Sequence, residues 1–358
     1  MKENVMNGKV LWNAQGRKKV EERKPAGRGQ AAHRALLIAG AIVGAALLIG
    51  AMVAPVCAQS YPNKAIRLII PYVPGGTTDL VGRIIGPKYA EQLGQPVVIE
   101  NRGGAGGNLA AEYVAKSPPD GYSLVLINAD YPISSAIYNK LNYDQLKDLA
   151  PIGLVAEVPL MICVRLDLPV KTLKEFVEYA RANPGKLNFG SSGVGTISHL
   201  PMEMLNKEAK INIKHVAYKG SGASRVALMS GEIDSLIMAS SSGIGDVEAG
   251  KIRPLAVLSS KRWRLLPNVP TTKEAGLVYF EFPYWLGILA PAKTPRDIVN
   301  RLHAEWNKIA AMPDTKEKIE KTGCDLLTSP TPESLFEIIK ADIARWSKIV
   351  EDAKITKF

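Results

Sequence analysis

From Tyr61 onward, apolar and polar positions follow two different periods along the chain. Short β-branched and aliphatic runs predict buried strands, and segments with an apolar residue every three or four positions predict helices between them. The predicted strands cover 65–73, 96–101, 122–128, 160–165, 186–191, 232–239, 252–259 and 284–291. The predicted helices cover 78–93, 108–116, 172–182, 197–209 and 223–230. Strands that alternate with helices indicate an α/β fold with a largely parallel sheet.

The end of the chain follows a different pattern. Two amphipathic helices are predicted over 295–311 and 332–352. No long linker divides the chain, so two domains would require it to cross between them more than once, and the runs at 160–165 and 284–291 are the candidate crossings. Open α/β sheets bind ligands in the loops beyond the carboxyl ends of their strands, which directs attention to those loops.

The first 58 residues have the composition of an export signal. Nine Lys and Arg against three Glu give this segment +6 of the net charge of +11, and 35–54 is an uninterrupted apolar stretch. Val56 and Ala58 suit the −3 and −1 positions of a cleavage site, so cleavage after Ala58 is predicted. The apolar stretch is also long enough to span a bilayer. A retained anchor, lipidation at Cys57 and a start downstream of Met1 remain open, and each implies export.

Composition narrows the class of protein. A chain of 358 residues with 22% charged and 46% hydrophobic residues is globular and can bury two cores. Beyond the leader, the remaining charge of +5 is spread over 300 residues without a basic run, which argues against nucleic-acid binding. Cys163 and Cys324 would remain after cleavage. An exported protein could pair them, but two separately buried thiols are the favoured interpretation.

Three glycine-rich loops each connect a predicted strand to a predicted helix. They are "VPGGTTD" (73–79), "FGSSGVGTISHL" (189–200) and "YKGSGASRVALMSG" (218–231). Backbone N–H groups at a helix start are free to bind an anion, and hydroxyl donors are added by Thr77, Ser191, Ser192 and Thr196. Because no lysine follows the glycines, as a phosphate-binding loop requires, the loops predict a carboxylate receptor built from neutral donors. The alternative is that they merely connect strands to helices.

Other chemistries have weaker support. The glycine loops lack the third glycine and the acidic residue of a dinucleotide site, and no G-x-S-x-G motif is present. The histidines have no metal-ligand spacing, so neither a metal nor a cofactor is predicted. An exported hydrolase that uses Ser191 or Ser192 with His199 would need an acidic partner for the histidine, and no local pattern supplies one.

Three residues near the loops have a structural interpretation beside the functional one. His199 follows the second loop and is predicted to make a structural hydrogen bond in preference to a ligand contact. His215 is predicted to be structural within a strand. Asp79 either caps its own helix or accepts a hydrogen bond from a ligand amino group.

Six segments occur together in one order: "YPNKAIRLIIPYVPGGTTDLVGRI", "VVIENRGGAGGNLAAEYVAKSPPDGYSLVL", "LNFGSSGVGTISHLPMEML", "VAYKGSGASRVALMSGEID", "AGKIRPLAVLSSKRWRLLPNVPTTKEAG" and "GILAPAKTPRDIVNRL". Together they resemble the extracytoplasmic solute receptors of the Bug (TctC) family, which serve tripartite tricarboxylate transporters. The resemblance runs from about Tyr61 to Ile355. It implies a two-lobed α/β periplasmic binding protein, with 59–163 plus 286–358 as one lobe and 164–285 as the other. It also implies a monomer without enzymatic activity or cofactor, which passes its solute to membrane subunits.

The resemblance further implies the site residues. From one lobe they are Tyr72, Pro74, Gly75, Gly76 and Thr77. From the other they are Ser191, Ser192, Gly193, Gly195 and Thr196, with His199 nearby. Asn128 and Tyr218 are expected to line the cleft.

One departure from the family pattern bears on the ligand. Many relatives place an acidic residue where this chain has Ser240, Ser241 and Ser242. Hydroxyls would not suit a ligand ammonium group. A di- or tricarboxylate or an aromatic acid is therefore favoured over an amino acid, and an amino-acid receptor of the same family stays an alternative. A receptor that signals instead of transporting is another.

Overall fold

A computed structural model describes residues 61–277, 280–352 and 355–357, together with two short strands near the N-terminus. The chain divides into two compact units, Met1–Ala58 and Gln59–Phe358. In the first unit, Leu11–Trp12 pairs antiparallel with Lys18–Lys19. The predicted apolar segment and cleavage site lie outside the described residues. All further statements concern the second unit.

The second unit alternates strands and helices through most of its length, which confirms the predicted α/β class. Its strands are β1 Ile66–Ile70, β2 Val97–Asn101, β3 Ser123–Asn128, β4 Leu149–Val158, β5 Leu160–Arg165, β6 Asn188–Ser191, β7 Lys214–Ala217, β8 Ser235–Ala239, β9 Ile252–Val257, β10 Tyr284–Pro291 and β11 Asp325–Leu326. Its helices are α1 Thr77–Leu93, α2 Asn108–Ala115, α3 Asp130–Ile137, α4 Leu173–Ala182, α5 Leu200–Glu208, α6 Ser221–Ser230, α7 Ser240–Glu248, α8 Arg296–Ala310, α9 Pro313–Lys321 and α10 Glu333–Asp352.

The strands form two sheets built on one plan. The first sheet has the order β11-β4-β10-β3-β1-β2 and the second the order β9-β5-β8-β6-β7. In each, three strands are parallel and are joined by helices: β3-β1-β2 in the first and β8-β6-β7 in the second. The loop after β1 and the loop after β6 therefore occupy corresponding places in the two sheets.

The expectation of a largely parallel sheet is wrong, because both sheets are mixed. Strands β4, β10 and β11 of the first sheet, and β5 and β9 of the second, pair antiparallel. The cause is the path of the chain between sheets. In each sheet, the strand that the chain enters from the other sheet, β10 in the first and β5 in the second, runs antiparallel to both of its neighbours.

The chain changes sheet with a single residue, Pro159, between β4 and β5, and returns before Tyr284. The sequence-based lobe boundaries at 163 and 286 thus fall within β5 and β10. The division into lobes stays a prediction. If the lobes correspond to the sheets, their boundaries lie at Pro159 and just before Tyr284, where the chain passes from one sheet to the other.

The hydrophobic cores explain why these elements form where they do. In β1, four of five side chains are buried, as the apolar run at 65–73 predicted. Both faces of β3 and β10 are buried throughout, as is typical of strands covered by helices on both sides. Cys163 and Cys324 are free, buried thiols, which confirms the favoured interpretation of the cysteines.

Candidate ligand-binding site

A small cavity lies between the two sheets, where the glycine-rich loops come together. Its volume is about 40 Å³, room for roughly three water molecules at ~10–15 Å³ each. One part of its wall is polar and is formed by Tyr72, Gly76, Thr77, Thr78, Asp130, Ser192, Ser198, Ser221, Ser224 and Tyr284. The other part is apolar and is formed by Leu160, Ile197, Ile237, Met238 and Ala239.

The first loop, residues 71–76, presents the start of α1 to this cavity. Gly76 is the N-cap of the helix and makes no side-chain cap. Among the described residues, the N–H groups of Gly76, Thr77 and Thr78 have no hydrogen-bond acceptor. Asp79 does not reach the cavity, because its carboxylate accepts hydrogen bonds from Gly75 N–H (3.0 Å) and from Asn101 (2.9 Å). The first loop therefore leaves its helix-start amides available.

The third loop, residues 218–220, presents the start of α6 in the same way. Gly220 has φ +108° and caps the helix without a side chain, a conformation that favours glycine. Ser221 and Ser224 line the cavity. A Cβ atom on Gly76 would lie 3.1 Å from Ser221 Oγ, so the two helix starts face each other across the narrow space. Each helix start carries a partial positive charge, and the pair suits an anion.

The second loop, residues 192–199, uses its own amides internally. Ser192 N–H donates to Ser198 Oγ (2.9 Å) and Gly193 N–H to Ser191 Oγ (3.2 Å). Gly195 N–H donates to His199 Nδ1 (3.1 Å). The helix starts at Leu200, later than predicted, because these side-chain bonds hold the segment in successive turns.

Behind the second loop, two histidines are stacked with ring centroids 3.9 Å apart. His215 Nε2 is 2.6 Å from Ser191 Oγ, and Ser191 is fully buried. Burial and the neighbouring His199 lower the pKa of His215 to about 4. Ser191 is thus paired with His215 and not with His199, and it lies out of reach of a substrate. His199 accepts a hydrogen bond from its own loop, and His215 lies in β7 beside Ser191.

Asp130, the first residue of α3, is the acidic group of the cavity. Its carboxylate accepts a hydrogen bond from Ile197 N–H (2.6 Å), in the second loop, and another from the Tyr72 hydroxyl. Burial raises the pKa of Asp130 to about 6, although the Ile197, Tyr72 and Asn128 contacts oppose the rise. Asp130, which follows a strand of the first sheet, therefore binds a backbone amide in a loop of the second sheet.

Asn128 organises the polar wall from behind. Its Nδ2 donates to Tyr284 Oη (2.7 Å) and to Thr78 Oγ1 (3.3 Å). Its Oδ1 accepts a hydrogen bond from Asp130 N–H (2.9 Å) and lies 3.1 Å from Tyr72 Oη, as an alternative acceptor for that hydroxyl. It supports the lining residues instead of forming part of the lining.

Of the residues expected at the site, the structure places four on the cavity wall: Tyr72, Gly76, Thr77 and Ser192. Others lie beside it. Pro74 and Gly75 are exposed, and Gly193, Gly195 and Thr196 belong to the internal network of the second loop.

The remaining expected residues are engaged elsewhere. Tyr218 donates to Glu232 Oε1 (2.7 Å). Ser240 is fully buried at the start of α7, and Ser241 Oγ is 2.8 Å from Thr77 Oγ1. The serine row is therefore the start of a helix whose second residue bridges to α1.

Sequence reasoning missed Asp130, Tyr284, Ser221 and Ser224. The two serines belong to a loop that had been singled out, and their place in the first turn of α6 was the available signal. Asp130 follows directly after a buried strand, where a polar residue at the sheet edge was the signal. Tyr284 had none, because it continues an apolar strand.

Two features are absent from the described residues. No group of three or more His, Cys, Asp or Glu side chains is placed to hold a metal ion in the part of the chain that the structure describes. Within the same residues, no helix combines the length and apolar character needed to cross a bilayer.

Comparison with known proteins places this chain in a family. The family profile for "Tripartite tricarboxylate transporter family receptor", TctC, matches residues 81–355. The periplasmic binding protein BugD superposes with a TM-score of 0.80 at 32% identity, over 83% of this chain and 100% of BugD. Rpa4515 of R. palustris with adipate gives a TM-score of 0.80 at 33% identity, over 83% and 100% of the two chains.

A third solved structure, MatC (Rpa3494) from Rhodopseudomonas palustris with bound malate, has a TM-score of 0.77 at 32% identity and covers 81% of this chain and all of that one. These proteins are solute-binding receptors and not enzymes, and receptors of this family are periplasmic. The chain belongs to the TctC family of tripartite tricarboxylate transporter receptors, the Bug proteins.

Proposed function

We propose that the protein captures a small carboxylate between its two sheets and that amides at the starts of α1 and α6 bind the carboxylate group. The observation that carries this proposal is the pair of helix starts that face each other across the cavity, at Gly76 and Ser221. Their first amides have no acceptor among the described residues. Two partial positive charges and several N–H donors can stabilise an anion without Lys or Arg.

For the ligand we propose a di- or tricarboxylate, with an aromatic acid as the second candidate. Adipate in Rpa4515 and malate in MatC support dicarboxylates. The apolar side of the cavity, which includes Leu160 and Met238, suits the carbon chain of such an acid. A cavity of about 40 Å³ is too small for adipate, so capture requires the sheets to separate and close again. Closure removes water and strengthens the contacts between the carboxylate and the amides.

The proposed destination of the ligand is the membrane subunits of a tripartite tricarboxylate transporter. A closed, ligand-bound receptor differs in shape from an open one, which gives a membrane partner a state to recognise. Adjacent genes for small and large membrane subunits would support transport, whereas an adjacent sensor kinase gene would support signalling. Cleavage after Ala58 and a monomeric state belong to the same proposal, and N-terminal sequencing and sedimentation of the exported protein test them.

The ligand class is tested by a thermal-shift screen of the exported protein, unfolded and refolded beforehand to remove co-purified ligand. The screen compares mono-, di- and tricarboxylates, aromatic acids, amino acids and sugars. A ligand at 100 times its Kd adds about 2.7 kcal/mol, which raises Tm by about 5 °C. We expect this rise with di- or tricarboxylates. Shifts with sugars alone, or with no compound, would contradict a carboxylate receptor.

A further inference from the structure

Asp130 creates an electrostatic problem at the proposed site. Of the described residues that line the cavity, it alone carries a formal charge, since the lining contains no Lys, Arg or His. Its side chain is 3% exposed. A ligand carboxylate in so small a space would stand close to a second carboxylate, in a medium that screens charge poorly. Two carboxylates that share a buried site do not both stay ionised.

Among the described residues that line the cavity, no cation is present to offset the two carboxylates. A proton from solvent can reduce their repulsion instead. We propose that Asp130 binds the ligand as a neutral carboxylic acid, which takes up one proton from solvent and donates it in a hydrogen bond to the second carboxylate of a dicarboxylate. This inference rests on the proposed function and makes Asp130 the residue that determines specificity for dicarboxylates. No bond is made or broken other than that to the transferred proton, which remains between Asp130 and the ligand.

The partners around Asp130 offer acceptors and donors that are compatible with the neutral acid. One carboxyl oxygen accepts the Ile197 N–H (2.6 Å), which suits the carbonyl oxygen of an acid. The other oxygen meets the Tyr72 hydroxyl. That hydroxyl has alternative acceptors in Asn128 Oδ1 (3.1 Å) and Gly106 O (3.4 Å). When Asp130 carries a proton, Tyr72 can therefore turn its own proton to Asn128.

Burial favours the same protonation state before any ligand enters. It raises the pKa of Asp130 to about 6, so the proton costs little near neutral pH. Helix α3 begins at Asp130, and its dipole favours the ionised form. A second anion in the cavity would oppose that preference and raise the pKa further.

The titratable groups that face Asp130 do not compete in this pH range. They are Tyr72 from the first loop, Tyr284 from β10 and Tyr138 at the end of α3. Burial raises the pKa of each, so they stay neutral. Behind the second loop lie the stacked His199 and His215, and the pKa of His215 is lowered to about 4. Among the groups that face Asp130, proton uptake near pH 6 and above is therefore assigned to Asp130 itself.

The test is calorimetric titration of the whole exported protein with adipate and with malate between pH 5.5 and 8. Runs in two buffers of different ionisation enthalpy give the number of protons taken up. We expect about one proton per ligand at pH 7.5, and a Kd that rises about tenfold per pH unit above pH 6. Below pH 6 the affinity should level off, because Asp130 is then protonated in the free protein.

Two variants separate the charge of Asp130 from its shape. Asp130→Asn keeps an acceptor for Ile197 N–H and a donor toward Tyr72, and cannot ionise. It should bind adipate with the affinity of the wild type at pH 5.5 and lose the pH dependence. Asp342→Asn is the matched control. Asp342 is also a carboxylate whose pKa is raised by burial, and it accepts Trp285 Nε1–H (2.8 Å) away from the cavity. It should keep the wild-type pH dependence.

The possible outcomes distinguish this inference from the proposed function. Dicarboxylate binding without proton uptake would overturn the inference and leave the carboxylate receptor standing. Amino-acid binding that Asp130→Asn weakens would also overturn it, because Asp130 would then be an ionised acceptor. Absence of binding by any carboxylate at any pH would overturn both. If Asp130→Asn failed to fold, the proton count of the wild type would still decide.

Discussion

The first and second loops have similar compositions and equivalent places in their sheets, yet their backbone amides have different partners. After β1, Gly76 and the two threonines that follow leave their N–H groups without acceptors among the described residues. After β6, the N–H groups of Ser192 and Gly195 are bound by side chains of the same loop. One loop leaves its amides free for an acceptor, and the other binds its amides with its own side chains.

The difference shows that glycine and hydroxyl content does not define an anion site. A serine next to a free amide can supply a donor to a ligand, or it can consume the amide itself. Ser198 does the second, since its Oγ lies 2.9 Å from Ser192 N. Thr77 has a partner for its hydroxyl across the cleft, Ser241, and leaves its amide free. Mutations in the two loops should therefore affect different properties.

The largest effect is expected when the packing of the second loop is broken. Gly195→Val should destabilise the protein by about 3–4 kcal/mol. The residue has φ +74°, and a Cβ atom there would lie 2.7 Å from Ile137 Cγ2, so backbone strain adds to overpacking. Urea unfolding measures the change. Gly231→Val has a similar φ of +78° with open space around it, and should lose about 1–2 kcal/mol. Equal losses in both variants would show that the packing against Ile137 contributes nothing.

The second-largest effect is expected from a mutation in the first loop, and it should fall mainly on ligand affinity. Gly76→Val should weaken carboxylate binding about 100-fold or more, roughly 2.7 kcal/mol, because its side chain would fill the space next to Ser221. The free energy of unfolding should fall by only about 1 kcal/mol, because Gly76 has φ −88°, which any residue adopts, and the loss comes from valine being a poor N-cap. Titration calorimetry and a melting curve measure the two properties. Gly245→Val, on the exposed surface of α7 with no neighbour within 4 Å, is the control. Unchanged affinity in Gly76→Val would remove the first loop from the site.

A smaller effect on stability is expected when one internal hydrogen bond of the second loop is removed. Ser198→Ala should cost about 1–2 kcal/mol, because it leaves the amide of Ser192 without its acceptor in a largely buried setting. Ser230→Ala removes an exposed hydroxyl from α6 and should be close to neutral. Chemical denaturation of both variants gives the difference. A neutral Ser198→Ala would mean that water satisfies the amide equally well.

The smallest effect concerns pH. The pKa of His215 is about 4 in the folded protein against 6.5 in the unfolded chain, so the unfolded state takes up its proton first as the pH falls. Stability linked to His215 is therefore present above pH 6.5 and is lost toward pH 4, by about 1 kcal/mol at pH 5.5. Asp130 has a raised pKa and acts in the opposite direction. His215→Gln should remove the loss, and denaturation at pH 7.5 and 5.5 tests it. An unchanged pH dependence in this variant would exclude His215 as its source.

The sequence predicted most of the fold because most strands bury nearly every side chain. The exceptions have physical causes. Strand β4 was not predicted, because Pro151 and Gly153 interrupt its apolar pattern. The structure accommodates Pro151 at a register shift opposite Leu289, where the missing N–H is tolerated. Helix α7 was not predicted either, since the three successive serines at its start have the pattern of a loop.

The site was harder to predict than the fold, because it depends on which atoms meet. The sequence located the glycine loops but could not tell that Ser198 and His199 would bind the amides of their own loop. Nor could it show that the Asp130 carboxylate accepts a hydrogen bond from Ile197 N–H, since the two residues follow strands of different sheets. Long-range contacts of this kind have no periodic signal. Local patterns identified where a ligand could bind, and the tertiary structure decided which groups remain to bind it.

The single residue between β4 and β5 restricts how the two sheets can move apart. Pro159 has its φ fixed by its ring, and Val158 before it is confined to extended conformations. The Pro159 carbonyl is bound by Ser240 N–H (2.9 Å). This connection therefore has very few rotational degrees of freedom, and the other connection, 258–283, is far longer. In the proposed capture of a ligand, this short link limits the directions in which the two sheets can separate, because so few of its backbone bonds can rotate.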